Sequence, residues 1–241
     1  MGLPRTDRVD ELTLVQLGHV DVDPEVLTGG GEPLRAAIGA EQPIDDHLGE
    51  IAGGLPADGW RLVHRSAAQP GLGVSEVFAA PCGDPATGGW AMASLSALRP
   101  DGARILSADP GPIRVFPGRA ARRAGLSLTW PDDLTPRAGS IPELEIRLRN
   151  QTDQVWSNDP EDSAHVLGWL LDSNGERLQR SPWHAHGLGD LLPTLHPGEM
   201  VMLPVAMASF EYVGLGRGTH QLDALVVALG LRSSAGSLTL L

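Results

Sequence analysis

The 241-residue chain contains no lysine: all 18 of its basic residues are arginine. That excludes a Schiff-base lysine and the lysine of a phosphate-binding P-loop. It has a single cysteine, Cys82, so no internal disulfide can brace it. No apolar run approaches the roughly 18 residues of a membrane-crossing helix. The most apolar segment, Leu222 to Leu231, is interrupted by Asp223. The N-terminal stretch has no apolar run and places five acids between Asp7 and Asp23. A secretory leader has the opposite pattern, so a cytoplasmic protein is expected.

Present instead are many acids and many turn formers. Thirty acidic side chains against the arginines give a net charge of −12, which argues against nucleic acid or an anionic membrane as partner. Hydrophobic content is 41%, enough for a folded core, and glycine (30) and proline (20) are abundant. The charge is uneven. Residues 1–59 carry 12 acids and 3 arginines, residues 60–131 carry 4 and 8, and residues 132–241 carry 14 and 7. A basic middle between two acidic blocks, followed by the join Trp130-Pro131-Asp132-Asp133, suggests domains of 1–124 and 125–241.

The first domain is expected to be β-rich with a short helical N-terminal part. Helices are predicted over 32–38 and over 43–52. In the latter, Pro43 suits the first helical position, and Ile44, Leu48 and Ile51 form one stripe. From Trp60 onward, WRLVHRS, VSEVFAA, WAMASLSAL, ARILSA and PIRVFPG read as strands, with Cys82 in a loop after the second. The second domain is clearer. ELEIRLRN (143–150) alternates strictly, as a half-buried antiparallel strand does. Asn174-Gly175, Pro197-Gly198 and Gly216-Arg217-Gly218 are turn signals between further strands. About seven short strands in this half are the pattern of a two-sheet sandwich, with Trp169 as a large central core side chain. A weak repeat, residues 100–106 against 173–179, would fit two sandwiches in tandem.

The motifs Asn150 to Asp153, Asp172 to Gly175, Leu195 to Glu199 and Gly218 to Ala224 carry a resemblance. Residues of about 126–241 resemble a bacterial immunoglobulin-like sandwich. They are similar in particular to the bacterial intracellular proteinase inhibitor-like domain, departing from it at His220, where an aromatic is usual. The resemblance implies an antiparallel sandwich used as a binding or accessory module; no inhibitory loop can be picked out.

Three constellations bear on chemistry. In Trp183-His184-Ala185-His186, two histidines at i and i+2 share a strand face and could ligate one transition metal. Asp190 and His196 could complete the set, with His165 as a further nitrogen. This pattern resembles the first half of a cupin metal motif, with Asp190 in place of glutamate and no second half after His220. Arg114, Arg119, Arg122 and Arg123, with Arg99 and Arg104, suggest an anion-binding patch or a dock for the acidic first 59 residues. Met200 and Met202 read as core packing rather than soft-metal ligands. Cys82 has only His64 as a conceivable base. The residues favour a non-enzymatic β-sandwich accessory protein that binds a protein partner or itself, without a resident cofactor. The alternatives are a metal-binding β protein, possibly an enzyme, centred on His184, His186 and Asp190, and a proteinase inhibitor.

Overall fold

The computed structural model describes residues 11–39, 44–46, 53–66, 75–83, 88–97, 104–132, 134, 143–158, 163–172, 174–178, 191–207 and 216–241. The chain is mainly β and divides into two compact units, Met1–Ala121 and Arg122–Leu241.

The strands of the first unit are β1 (Val15–Leu17), β2 (Val20–Val22), β3 (Ile44–Asp46), β4 (Arg61–Arg65), β5 (Ser75–Cys82), β6 (Gly89–Ala97), β7 (Arg104–Ile113) and β8 (Val115–Pro117). Short helices α1 (Pro24–Thr28) and α2 (Leu34–Ala37) follow β2, and α3 (Arg119–Arg122) crosses the boundary between the units in the chain. Asp23 caps α1 by accepting the Glu25 N–H at 2.9 Å, with Pro24 in the first turn. A five-stranded sheet runs β3-β7-β6-β5-β4 and a three-stranded one β2-β1-β8.

The strand β5 explains this layering. It reads Val77-Phe78-Ala79-Ala80 without alternation, and all four side chains are buried. A strand with apolar groups on both faces has to be covered on both. Val77 and Ala79 pack with Met92 against Leu17, Val20 and Val22 of the small sheet. Phe78 and Ala80 pack with Ala91, Ala93, Leu95 and Leu106 beneath Trp60 and Ile38. The alanines leave room on that face, and the fully buried Trp60 ring fills it, its Nε1–H donating to the Pro56 carbonyl at 2.8 Å.

Two segments differ from what their sequence predicts. Residues 44–46 form β3, paired in parallel with β7, and not the start of a helix over 43–52. An isolated ten-residue helix is marginal in water, whereas the open edge of β7 supplies ladder partners at once. Residues 47–52 lie outside the described set. Cys82 is the last residue of β5, half-buried, and not a loop residue.

On the Trp60 face, Glu76 lies between two arginines. Arg65 Nη2 is 2.7 Å from its Oε1, and Arg104 pairs closely with its Oε2. Burial alone would push this carboxyl up. Hydrogen bonds from Arg104 and Arg65, and their charges, outweigh burial and hold it below its usual range. Folded Glu76 therefore binds a proton less readily than the unfolded chain does. Its stabilisation is present above the ordinary glutamate value and is lost as pH falls through the lowered folded one. Glu76→Gln should be less stable than wild type at neutral pH, and the gap should close as pH falls below the ordinary glutamate range through the lowered folded value. Denaturant midpoints across pH check this; a gap independent of pH would contradict it.

The second unit contains β9 (Leu126–Thr129), β10 (Leu144–Asn150), β11 (Val166–Leu171), β12 (Met200–Ala206), β13 (Gly218–Val226), β14 (Leu231–Arg232) and β15 (Gly236–Leu240). Their order is β14-β13-β11-β12-β10-β9, with β15 also on β13; only β11–β12 is parallel. The two ends of this sheet are joined. The Ser234 N–H, just after β14, donates to Leu128 of β9 at 3.2 Å, and the Thr239 N–H of β15 donates to Leu134 at 2.8 Å. One core results, in which Ile146, Leu148, Leu222, Leu229 and Leu238 are fully buried. The strand β10 alternates as expected, with Leu144, Ile146 and Leu148 inward and Glu145 and Arg149 exposed. The first unit is a meander of β4 to β7 with a layer on each face, so the two units do not share a strand order.

Asn150 is the buried polar residue among those described, with no exposure. Its Nδ2 donates to Gln154 O at 2.7 Å, Leu195 O at 3.0 Å and His196 O at 3.4 Å. Its Oδ1 accepts from the Thr152 N–H and hydroxyl at 3.0 and 2.8 Å. Its backbone joins the same turn: its N–H donates to Glu199 O, and its carbonyl accepts the Gly198 N–H, both at 3.0 Å. Gly198, at φ +74°, is the residue that lets the Pro197-Gly198 turn close. Asn150→Ala should cost about 3 kcal/mol, because buried carbonyls lose their donor. Asn150→Asp should fare no better despite its matched size, since it turns an acceptor toward those carbonyls. Denaturant unfolding reads both; an unchanged midpoint in the Asp variant would overturn the assignment.

Candidate functional site

Of the sequence-derived metal set, His184, His186 and Asp190 lie outside the described residues. His196 is exposed in the turn before β12, where its N–H donates to Glu199 Oε2 at 2.7 Å. Among the described residues no group of three or more His, Cys, Asp or Glu side chains could hold a metal ion. Cys82 is pushed up by burial and by the Asp109 charge, which favours the unreactive thiol.

The arginines are individually placed. Arg114 is exposed between β7 and β8. The Arg119 N–H donates to Asp21 Oδ1 at 3.0 Å, and its guanidinium reaches His19 O at 3.0 Å and Asp21 Oδ2 at 3.6 Å. An arginine of the basic middle thus meets a carboxylate of the acidic first segment. In the second unit the Arg122 carbonyl accepts the Trp156 Nε1–H at 2.7 Å. The Arg123 guanidinium donates to the Leu229 and Gly230 carbonyls, each at 3.3 Å. The Arg119 and Arg123 guanidiniums are therefore engaged within the chain.

Two features not read from the sequence stand out. The first is a pocket of about 280 Å³ in the first unit. It opens where the β1–β2 hairpin ends over the uncovered part of the β6–β7 face. Leu17 pairs with Val20 across a two-residue loop, Gly18-His19, and Gly18 takes φ +55°. That is the Gly-x form of a tight hairpin. Beneath it, Ser94 lies opposite Ser107 and Met92 opposite Asp109, which sets these four side chains on one face. With Gly18 and His19 they line the cavity. His19 as a residue is exposed, yet crowding of its ring is the largest cause of a lowered imidazole pKa, ahead of the charges of Arg119 and His64. The ring is accordingly neutral at neutral pH. Asp109 Oδ1 accepts the Gly111 N–H at 2.9 Å, which fixes the carboxylate at the pocket edge.

The second is the outer face of β10 and β12. Arg149 pairs with Met200 and Arg147 with Met202. Met200 is 51% exposed. The core reading of these methionines is corrected for Met200: period two sends Leu203 into the core beside Val201 and Val205, and so turns Met200 and Met202 outward. The same rule relocates Trp169. It shares a face with Leu167 and Leu171, opposite the core residues Val166 and Leu170, and lies 3.4 Å beneath the Arg177 guanidinium with Arg232 at 5.6 Å. It is buried, but outside the leucine cluster, with these two guanidiniums over its ring.

The chain matches no family model, no curated protein and no solved structure. No helix among the described residues is long and apolar enough to cross a membrane.

Gly18 is the position on which the pocket's hairpin is most exacting. A Cβ there would sit 2.7 Å from Met92 Sδ, at a φ that L residues rarely adopt. Gly18→Ala should destabilise the first unit by about 1–2 kcal/mol through strain and displacement of Met92. Thermal unfolding measures it; a neutral outcome would show that the hairpin relaxes freely.

Proposed function

We propose that the chain is a non-enzymatic accessory protein that binds a protein partner through the β10–β12 face of its second unit. The observation that carries this reading is the cross-strand pairing of exposed Arg149 with exposed Met200, continued along the same face by half-buried Arg147 with Met202. Arginine and methionine are the residue types enriched where protein surfaces meet. Methionine adapts its shape to an apolar counterpart, and the arginine fork holds carboxylates in a defined geometry. The strands beneath are fixed by the leucine core and by Asn150, so the face is ordered before a partner arrives, which lowers the cost of association.

A partner that fits has an apolar centre rimmed by acids. A second copy of this chain, at net −12, also carries such acids, so self-association through this face belongs to the same reading. The resemblance of residues 126–241 to immunoglobulin-like and proteinase inhibitor-like sandwiches agrees with a binding role, although fold likeness implies no chemistry. A reducing, cytoplasmic setting suits a chain whose one cysteine is a half-buried thiol.

Met200→Asp combined with Arg149→Glu tests the proposal. Light scattering of the purified chain and affinity capture of its partner should both register the wild-type complex, and the double variant should weaken it at least tenfold at an unchanged unfolding midpoint. A complex that survives the double variant, or a wild-type chain that stays monomeric and retains no partner, would refute it.

A further inference from the structure

We propose that the pocket under the β1–β2 hairpin is a binding site for a small organic cation, a primary ammonium group on a short apolar stem. The volume of about 280 Å³ is near the lower end of the range for small-molecule sites. It admits a molecule of a few carbons and not a large cofactor.

The lining decides the charge. Among the lining side chains Asp109 is the one with a permanent charge, and it is held in place by the Gly111 N–H on Oδ1. Ser94 and Ser107 face each other two residue pairs along the β6–β7 ladder from Met92 and Asp109, and so on the same face. Directly opposed side chains in such a ladder are about 5 Å apart at Cβ. A carboxylate and two hydroxyls are thus grouped on one patch of sheet, which matches the three N–H donors of an ammonium group. Met92 and Ile113 offer apolar surface in the same lining to a hydrocarbon stem.

The nearby cationic groups do not cancel this preference. His19 is kept neutral, chiefly by crowding of its ring, so it presents a dipole and no charge. Arg119 is drawn to Asp21 and to the His19 carbonyl, where its charge is balanced. The chain has no lysine whose own ammonium could occupy the pocket. An anion would meet the Asp109 carboxylate, and an uncharged alcohol would gain no ion pair, so charge selects the ligand and volume limits its length.

The test titrates the full chain with three probes of one shape: 3-methylbutylamine, 3-methylbutanol and 3-methylbutanoate. Amide chemical shifts of Gly18, Ser94, Ser107 and Asp109 report occupancy. The expected result is saturable shifts with the amine and none with the alcohol or the acid. Asp109→Asn retains an Oδ1 acceptor for the Gly111 N–H, so the loop keeps its shape, and the amine should bind at least tenfold more weakly. Ser107→Ala, at an exposed position, should weaken it a few-fold and serves if the Asn variant does not fold. Equal response to all three probes, no saturation with the amine, or unchanged amine binding in these variants would overturn the proposal.

Discussion

Asn150 has no water to turn to. Its side chain is fully buried, so each polar atom has to find its partner inside the protein. The amide does so in one direction only. Its oxygen meets an N–H and a hydroxyl from Thr152, and its nitrogen meets carbonyls of Gln154, Leu195 and His196. Turned over, donors would face donors. One side chain thereby fixes two turns that are 45 residues apart in the chain. Because Asn150 ends β10 and Glu199 immediately precedes β12, the lock also sets the register between those strands. That register sets Arg149 beside Met200 and Arg147 beside Met202. A shift of one residue would carry the methionines inward and leucines out. The proposed binding face is thus a consequence of one buried amide.

The first unit meets a different constraint with a different device. Its strand β5 is apolar on both faces, so a sheet with one solvent face was never available to it. The small sheet covers one side, and Trp60 with α2 covers the other. The small sheet is shorter than the sheet it covers. Where the β1–β2 hairpin ends, the sequence of β6 and β7 changes from Met92 to Ser94 and from Asp109 to Ser107, and a pocket opens at that change. Glu76, held between Arg65 and Arg104, closes the opposite face with charge where the apolar cover ends.

Much of the strand content was legible because period-two patterning is local. Leu144, Ile146 and Leu148 alternate with charged residues, and nothing but a half-buried strand accounts for that. The turn at Pro197-Gly198 could be read for the same reason. Residues 44–46 could not, since the choice between helix and strand depended on the free edge of β7, about 60 residues further on. Trp169 misled because size suggested the leucine core, whereas alternation along β11 puts it on the face opposite Val166 and Leu170, buried beneath Arg177. Met200 and Met202 were legible in principle from the same parity. The pocket was not, because Gly18, Ser94 and Asp109 come together only through the ladder and the hairpin. The two turn motifs at 150 and 195 were each visible, but the hydrogen bonds joining them were not.

Asn150 holds the 195–199 turn against the end of β10, and native-state hydrogen exchange tests that directly. The amides of Asn150, Thr152 and Gly198 should exchange only through unfolding of the whole second unit, at the same free energy as the core amides of β10 and β12. Exchange of Thr152 and Gly198 at the rate of an open loop, while those strands stay protected, would contradict it.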